Sequence, residues 1–112
     1  MYKKIETLYR SAYQMSRGYL VEQERNGVGL VKKMFPQIQE FILWFLKENI
    51  FGIETELYLE MQNYLLQVLE DIIYGIKQND RVFLHDAVAY GLMEYLKMFI
   101  DVNQEEQKND NL

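Results

Sequence analysis

The chain has 112 residues, 49% hydrophobic and 14% aromatic, with one histidine, no cysteine and a net charge of −5. That length suits one domain able to bury about two thirds of the surface its unfolded form exposes. The missing thiols exclude disulfides, thiolate metal centres and cysteine nucleophiles and favour a reducing, cytoplasmic setting, while the acidic balance opposes nucleic-acid binding.

Advancing about 100° per residue, the first segment, 3–25, places Ile5, Leu8, Tyr9, Ala12, Met15, Tyr19 and Leu20 on one side and Lys3, Arg10 and Arg17 on the opposite flank. Asn26 and Gly27 of "NGVG" suit the left-handed conformation that stops a helix. The opening does not read as a signal peptide, because Glu6, Thr7 and Arg10 interrupt any apolar stretch. In the second segment, 29–49, Val31, Met34 and Phe35 share a face with Ile38, Phe41, Ile42 and Phe45 across Pro36. One helix kinked at Pro36, where the Lys32 carbonyl loses its donor, is expected ahead of a turn with Pro36 opening a new helix. The run "FILWFL" falls far short of the ~20 residues a membrane span needs.

Gly52 is the hinge of the next connection. The third helix, 54–78, has the clearest stripe: Leu57, Tyr58, Met61, Leu65, Val68, Leu69, Ile72, Ile73 and Ile76. Asp80 is the expected N-cap of the fourth helix, 80–102, where Leu84, Ala87, Val88, Gly91, Leu92, Tyr95 and Phe99 face one way. Gly91 costs ~1 kcal/mol in helix propensity, so its place in mid-stripe points to a close helix approach, and Gly75, at the margin of the third helix's stripe, is expected to serve similarly. Residues 103–112 carry no apolar pattern and are expected to form a disordered polar tail. Four amphipathic rods joined by short loops predict an all-α, antiparallel up-down four-helix bundle as a single domain over residues 1–102.

Candidate chemistry is sparse. His85 is the natural general base, but its neighbour Asp86 points about 100° away around a helix, so a preformed dyad is not expected. Di-iron bundles use Glu-x-x-His pairs on two helices, whereas Val82 stands three residues before the single histidine. "NGVG" lacks the Lys and Ser/Thr of a phosphate loop. No catalytic, metal or cofactor site is therefore expected, and no enzyme.

The distinctive feature is surplus apolar surface. Val82, Ala89, Met93, Leu96 and Ile100 form a second seam on the fourth helix, and Leu43 and Trp44 stand outside the core face of the second. Such patches mark contacts. Charge is also uneven: residues 1–47 hold eight basic and four acidic side chains, and residues 48–112 hold four and thirteen, hence +4 against −9. Mutual attraction of the two halves is the plain expectation, and an acidic face for a basic partner is the sharper one.

The spacing of Asp80, Asp86, Tyr90 and Leu92 resembles that of a family of small helical-bundle proteins of Gram-positive bacteria, from which the chain departs at Gly91 and at Met93–Glu94. The resemblance implies no activity; it draws attention to Asp86 and Tyr90, which are spaced to meet on a helix surface. The expected function is a non-enzymatic, cytoplasmic interaction module. It is expected to form a homodimer, or to bind another helical protein, through the seams of the second and fourth helices. The alternatives are a small-molecule sensor or carrier with a pocket lined by Tyr9, Tyr58, Tyr64 and Tyr95, and a chaperone-like binder of an exported helical protein.

Overall fold

A computed structural model describes residues 1–22 and 27–100, and every element within them is helical. Three are continuous: α1 (Tyr2–Glu22), α2 (Gly27–Lys47) and α3 (Thr55–Gln78). The fourth rod is composite, built from α4 (Arg81–Asp86), a π-helical turn (Ala87–Leu92), α5 (Met93–Leu96) and a 3-10 turn (Lys97–Phe99). Several expectations lie outside the described residues: the last turn of the first helix with its stop at Asn26, the environments of Tyr19, Leu20 and Gly27, the continuation to Val102 and the polar tail.

Local chemistry sets the boundaries. α2 runs unbroken through Pro36, which is exposed. After Lys47 the Asn49 carboxamide oxygen accepts from the Phe51 and Ile53 amides, 3.3 Å each, and Gly52 turns the chain with φ of 72°. Such side-chain bonds stabilise turns by mimicking backbone pairing. Glu54 caps α3, its carboxylate accepting from the amides of Glu56 and Leu57. Asn79 ends α3 in the left-handed conformation, φ 52°, and its N–H reaches the Gly75 and Ile76 carbonyls. Asp80 then caps α4 by accepting from the Phe83 amide at 3.0 Å, as its position predicts.

The core follows the four stripes. Ile5, Leu8, Tyr9, Ala12 and Met15 meet Val31, Met34, Ile38, Phe41, Ile42 and Phe45 from α2, with Leu65, Val68 and Ile72 from α3 and Leu84, Val88 and Leu92 from the fourth rod. Leu57, in the first turn of α3, stays exposed. α1 packs on α2 and the fourth rod, and α3 packs on the same two neighbours. The ends pair accordingly: Lys4 bonds Glu40 at 2.7 Å, Gln62 donates to the Leu46 carbonyl at 3.0 Å, and Tyr95 donates to the Met61 carbonyl at 2.9 Å.

Gly75 and Gly91 both sit at close approaches. A Cβ on Gly75 would lie 3.1 Å from the Leu84 side chain, and one on Gly91 would lie 2.9 Å from Val68 Cγ2. Gly91 belongs to the π turn, in which the Met93 amide bonds back to the Val88 carbonyl five residues earlier. A π turn accommodates an extra residue, so everything after it is rotated by about 100° relative to an unbroken α-helix. That rotation corrects the expected second seam. Met93 and Leu96 belong to the core, 5% and 0% exposed, and not to a surface. Ala89 is half-buried, Ile100 packs partly against the core, and Val82 alone of that set is exposed.

Two outcomes follow from this packing. Gly91→Ala drives a methyl group into the stiff, branched Val68 and should destabilise the fold by about 1–3 kcal/mol. In urea melts, Val68→Ala in the same chain should recover part of that loss, a non-additivity that distant sites do not show. Leu96→Glu places a charge in a sealed core and should abolish cooperative melting by circular dichroism, and Leu96→Ala should cost about 2–5 kcal/mol.

Candidate functional site

The nine residues singled out for interaction separate in space. Met93 and Leu96 are internal and Ala89 is half-buried. Leu43, Trp44 and Ile100 gather near one end of the bundle, while Asp86 and Tyr90 line a cleft between α3 and the fourth rod, with Val82 exposed nearby on that rod.

At the bundle end, Trp44 is half-buried in an aromatic cluster that unites the start of α1, the end of α2, the following loop and the end of the fourth rod. Its ring centroid lies 5.1 Å from that of Phe51, 5.3 Å from Phe99 and 6.2 Å from Tyr2, all edge to face. Phe51 stacks on the buried Phe45 at 5.0 Å, anchoring the cluster to the core. Such geometry complements ring quadrupoles and holds each ring in place. Tyr2, Leu43, Ile50 and Met98 remain exposed in these same segments, with Leu43 66% and Ile50 61% exposed. The nearby charges balance: Lys4 pairs with Glu40, Lys97 with Glu94 at 3.0 Å, and Lys47 adjoins Glu48.

The cleft has a volume of about 260 Å³. Its floor is the Val68–Gly91 approach. Tyr64 and Tyr90 line it, as do Asp71 and Asp86, with Phe83 and Gln67 completing the walls. The π turn contributes Ala87, Tyr90 and Gly91, so one backbone irregularity both rotates the rod and shapes the cleft. Gln67 Nε2 donates to Asp71 Oδ1 at 2.9 Å. His85 is buried, and its Nδ1 lies 3.0 Å from Asp86 Oδ1. This corrects the expectation that the two do not meet: Cα directions differ by a helical step, but neighbouring side chains lean together. An ionised carboxylate only accepts, so the imidazole donates there. The Tyr90 ring stands edge to face on His85 at 6.1 Å; the i, i+4 spacing therefore brings ring to ring, with no hydroxyl–carboxylate bond between Tyr90 and Asp86. Neither Asp71 nor Asp86 pairs with a lysine or arginine among the described residues.

The four tyrosines proposed to line an internal pocket do not share one. Tyr9 is core, and Tyr64 is exposed and stacked on Tyr95 at 6.1 Å. Phe45 packs against Tyr58 and against Tyr95, 5.5 Å from each. The Tyr58 hydroxyl donates to the Phe45 carbonyl and that of Tyr95 to Met61. Burial raises the pKa of both phenols; Glu48 adds to the effect at Tyr58, against a lowering bond from Gln62, and Tyr64 adds to it at Tyr95. No described helix is long and apolar enough to cross a membrane, and no three His, Asp or Glu side chains among the described residues are grouped to hold a metal ion. No family model, curated protein or solved structure matches the chain.

The raised phenol pKa values set an alkaline limit. Below pH 10 both forms of the chain keep these protons. Above it the unfolded chain releases them while native Tyr58 and Tyr95 hold theirs, so stability falls as pH rises toward the folded pKa values. Urea melts compared at about pH 8 and pH 11 should show a smaller alkaline loss for Tyr58→Phe/Tyr95→Phe than for wild type. At neutral pH the double variant should be weaker by about 1–3 kcal/mol per lost hydrogen bond.

Proposed function

We propose that the protein is a non-enzymatic interaction module that associates with a second copy of itself through the aromatic end of the bundle. The observation that supports this is the half-buried Trp44 cluster, fixed by ring contacts to the core yet bordered by exposed Tyr2, Leu43, Ile50 and Met98. Rigid aromatic side chains contribute large apolar area at low entropic cost, and such residues dominate interface energetics. Balanced charge around this end suits contact with an identical surface, which like charges oppose. Of the apolar seams on the second and fourth helices, this reading keeps Leu43, Trp44 and Ile100 and releases Met93 and Leu96 to the core.

In the same reading the rods alternate in direction as an up-down bundle, and α2 bends near Pro36 because the Lys32 carbonyl has no amide donor. The absence of cysteine suits a reducing, cytoplasmic compartment. Kinship with the helical family of Gram-positive bacteria rests on the spacing of Asp80, Asp86, Tyr90 and Leu92.

Sedimentation equilibrium should find the wild type dimeric and Leu43→Glu/Ile50→Glu monomeric. The melting temperature should move little beyond the loss due to dissociation, because both side chains are exposed. A wild type that stays monomeric at its highest soluble concentration refutes the reading.

A further inference from the structure

The cleft between α3 and the fourth rod differs from the bundle end in chemistry. At the end, charges are balanced and rings pack on one another. In the cleft, two carboxylates face the same small volume with aromatic rings on the walls and no basic side chain lining it. We propose that this cleft is a binding site for a small organic cation, an alkylammonium or polyamine, whose charge lies with Asp71 and Asp86 and whose carbon groups rest on Tyr64, Tyr90 and Phe83. This goes beyond self-association and does not depend on it.

Four observations converge. The carboxylates are held in position: Asp71 by Gln67 at 2.9 Å and Asp86 by His85 at 3.0 Å, the latter from an imidazole whose side chain is only 9% exposed. A buried imidazole in contact with a cleft carboxylate fixes its orientation, as a supporting shell does for any charged ligand site. The rings are held as well, Tyr64 stacked on Tyr95 and Tyr90 edge to face on His85, so their faces are preorganised. Rings beside carboxylates attract a cation that also carries apolar groups and discriminate against a strongly hydrated metal ion, because the ring face attracts charge that is weakly solvated. Finally, the volume of about 260 Å³ suits a small molecule. Among the described residues no lysine or arginine pairs with either cleft carboxylate.

A second copy is a poor occupant for this cleft, since an identical face would oppose Asp71 and Asp86 with carboxylates of its own. A basic side chain from a partner protein shares the ligand's chemistry, and the test separates the two sources. Ring resonances of Tyr64, Tyr90 and Phe83 are followed by NMR during titration with choline and with spermidine, each against sodium chloride at matched ionic strength, and with an arginine-rich peptide. The organic cations should shift these rings saturably, with sodium producing no saturable change. Asp71→Asn/Asp86→Asn should weaken binding at least tenfold, Tyr90→Leu should weaken choline severalfold, and His85→Gln should weaken both less than the double asparagine variant does. The monomeric Leu43→Glu/Ile50→Glu chain should bind as wild type does. Equal shifts from sodium chloride, or unchanged affinity in Asp71→Asn/Asp86→Asn, overturn the proposal. So does a peptide that binds where choline and spermidine do not.

Discussion

The approach of the fourth rod to α3 at Gly91 governs much of this molecule. A Cβ there would stand 2.9 Å from Val68, so the two backbones come together as only glycine permits. The same glycine lies in a π turn, where the ladder reaches back five residues in place of four. Helical propensity alone disfavours both features; close packing and the burial of the residues beyond the turn offset them. Burying Met93 and Leu96 contributes about 1.5–3 kcal/mol for each large side chain, enough to offset the lower propensity of the π turn.

That register change explains an apparent excess. Treated as one uninterrupted helix, the fourth segment shows two apolar seams, one for the core and one left over as surface awaiting a partner. The pairs Leu92–Met93, Tyr95–Leu96 and Phe99–Ile100 are instead the mark of a single stripe that moves over by one position partway along. Leu84 faces the core before the turn and Val88 within it, and Met93 and Leu96 face it afterwards. Apolar surface does remain outside, part of it near the end of the bundle, where the rings of Tyr2, Trp44, Phe51 and Phe99 meet, and part along α3 and the fourth rod, at Leu59, Leu66, Tyr74 and Val82 among others.

The two surfaces divide by charge. Near the bundle end, ion pairs join Lys4 to Glu40 and Lys97 to Glu94, each within its own half of the chain. In the cleft, Asp71 and Asp86 have no lysine or arginine counterpart among the described residues. The first arrangement tolerates an identical neighbour, while the other rewards a positive ligand. His85, isolated in sequence, takes its place beside Asp86 as a positioning group: it is buried, oriented, and in contact with the edge of the cleft.

Much of the architecture was legible from residue order because helices repeat locally. The stripes of the first three rods, the cap at Asp80 and the hinge at Gly52 each depend on residues only a few positions apart, and a glycine on an apolar stripe signals a close approach without naming its partner. What periodicity could not show was where the period changes. The π turn accompanies the fit of Gly91 on Val68, 23 positions away in the chain, and it decides that Met93 and Leu96 are inside. The meeting of His85 with Asp86 was likewise hidden, because a helical wheel gives backbone directions and not the rotamers by which neighbours reach one another. The gathering of Tyr64 and Asp71 with Asp86 and Tyr90 belongs to the tertiary structure alone, since only the packing of one rod on another places their side chains around a common volume.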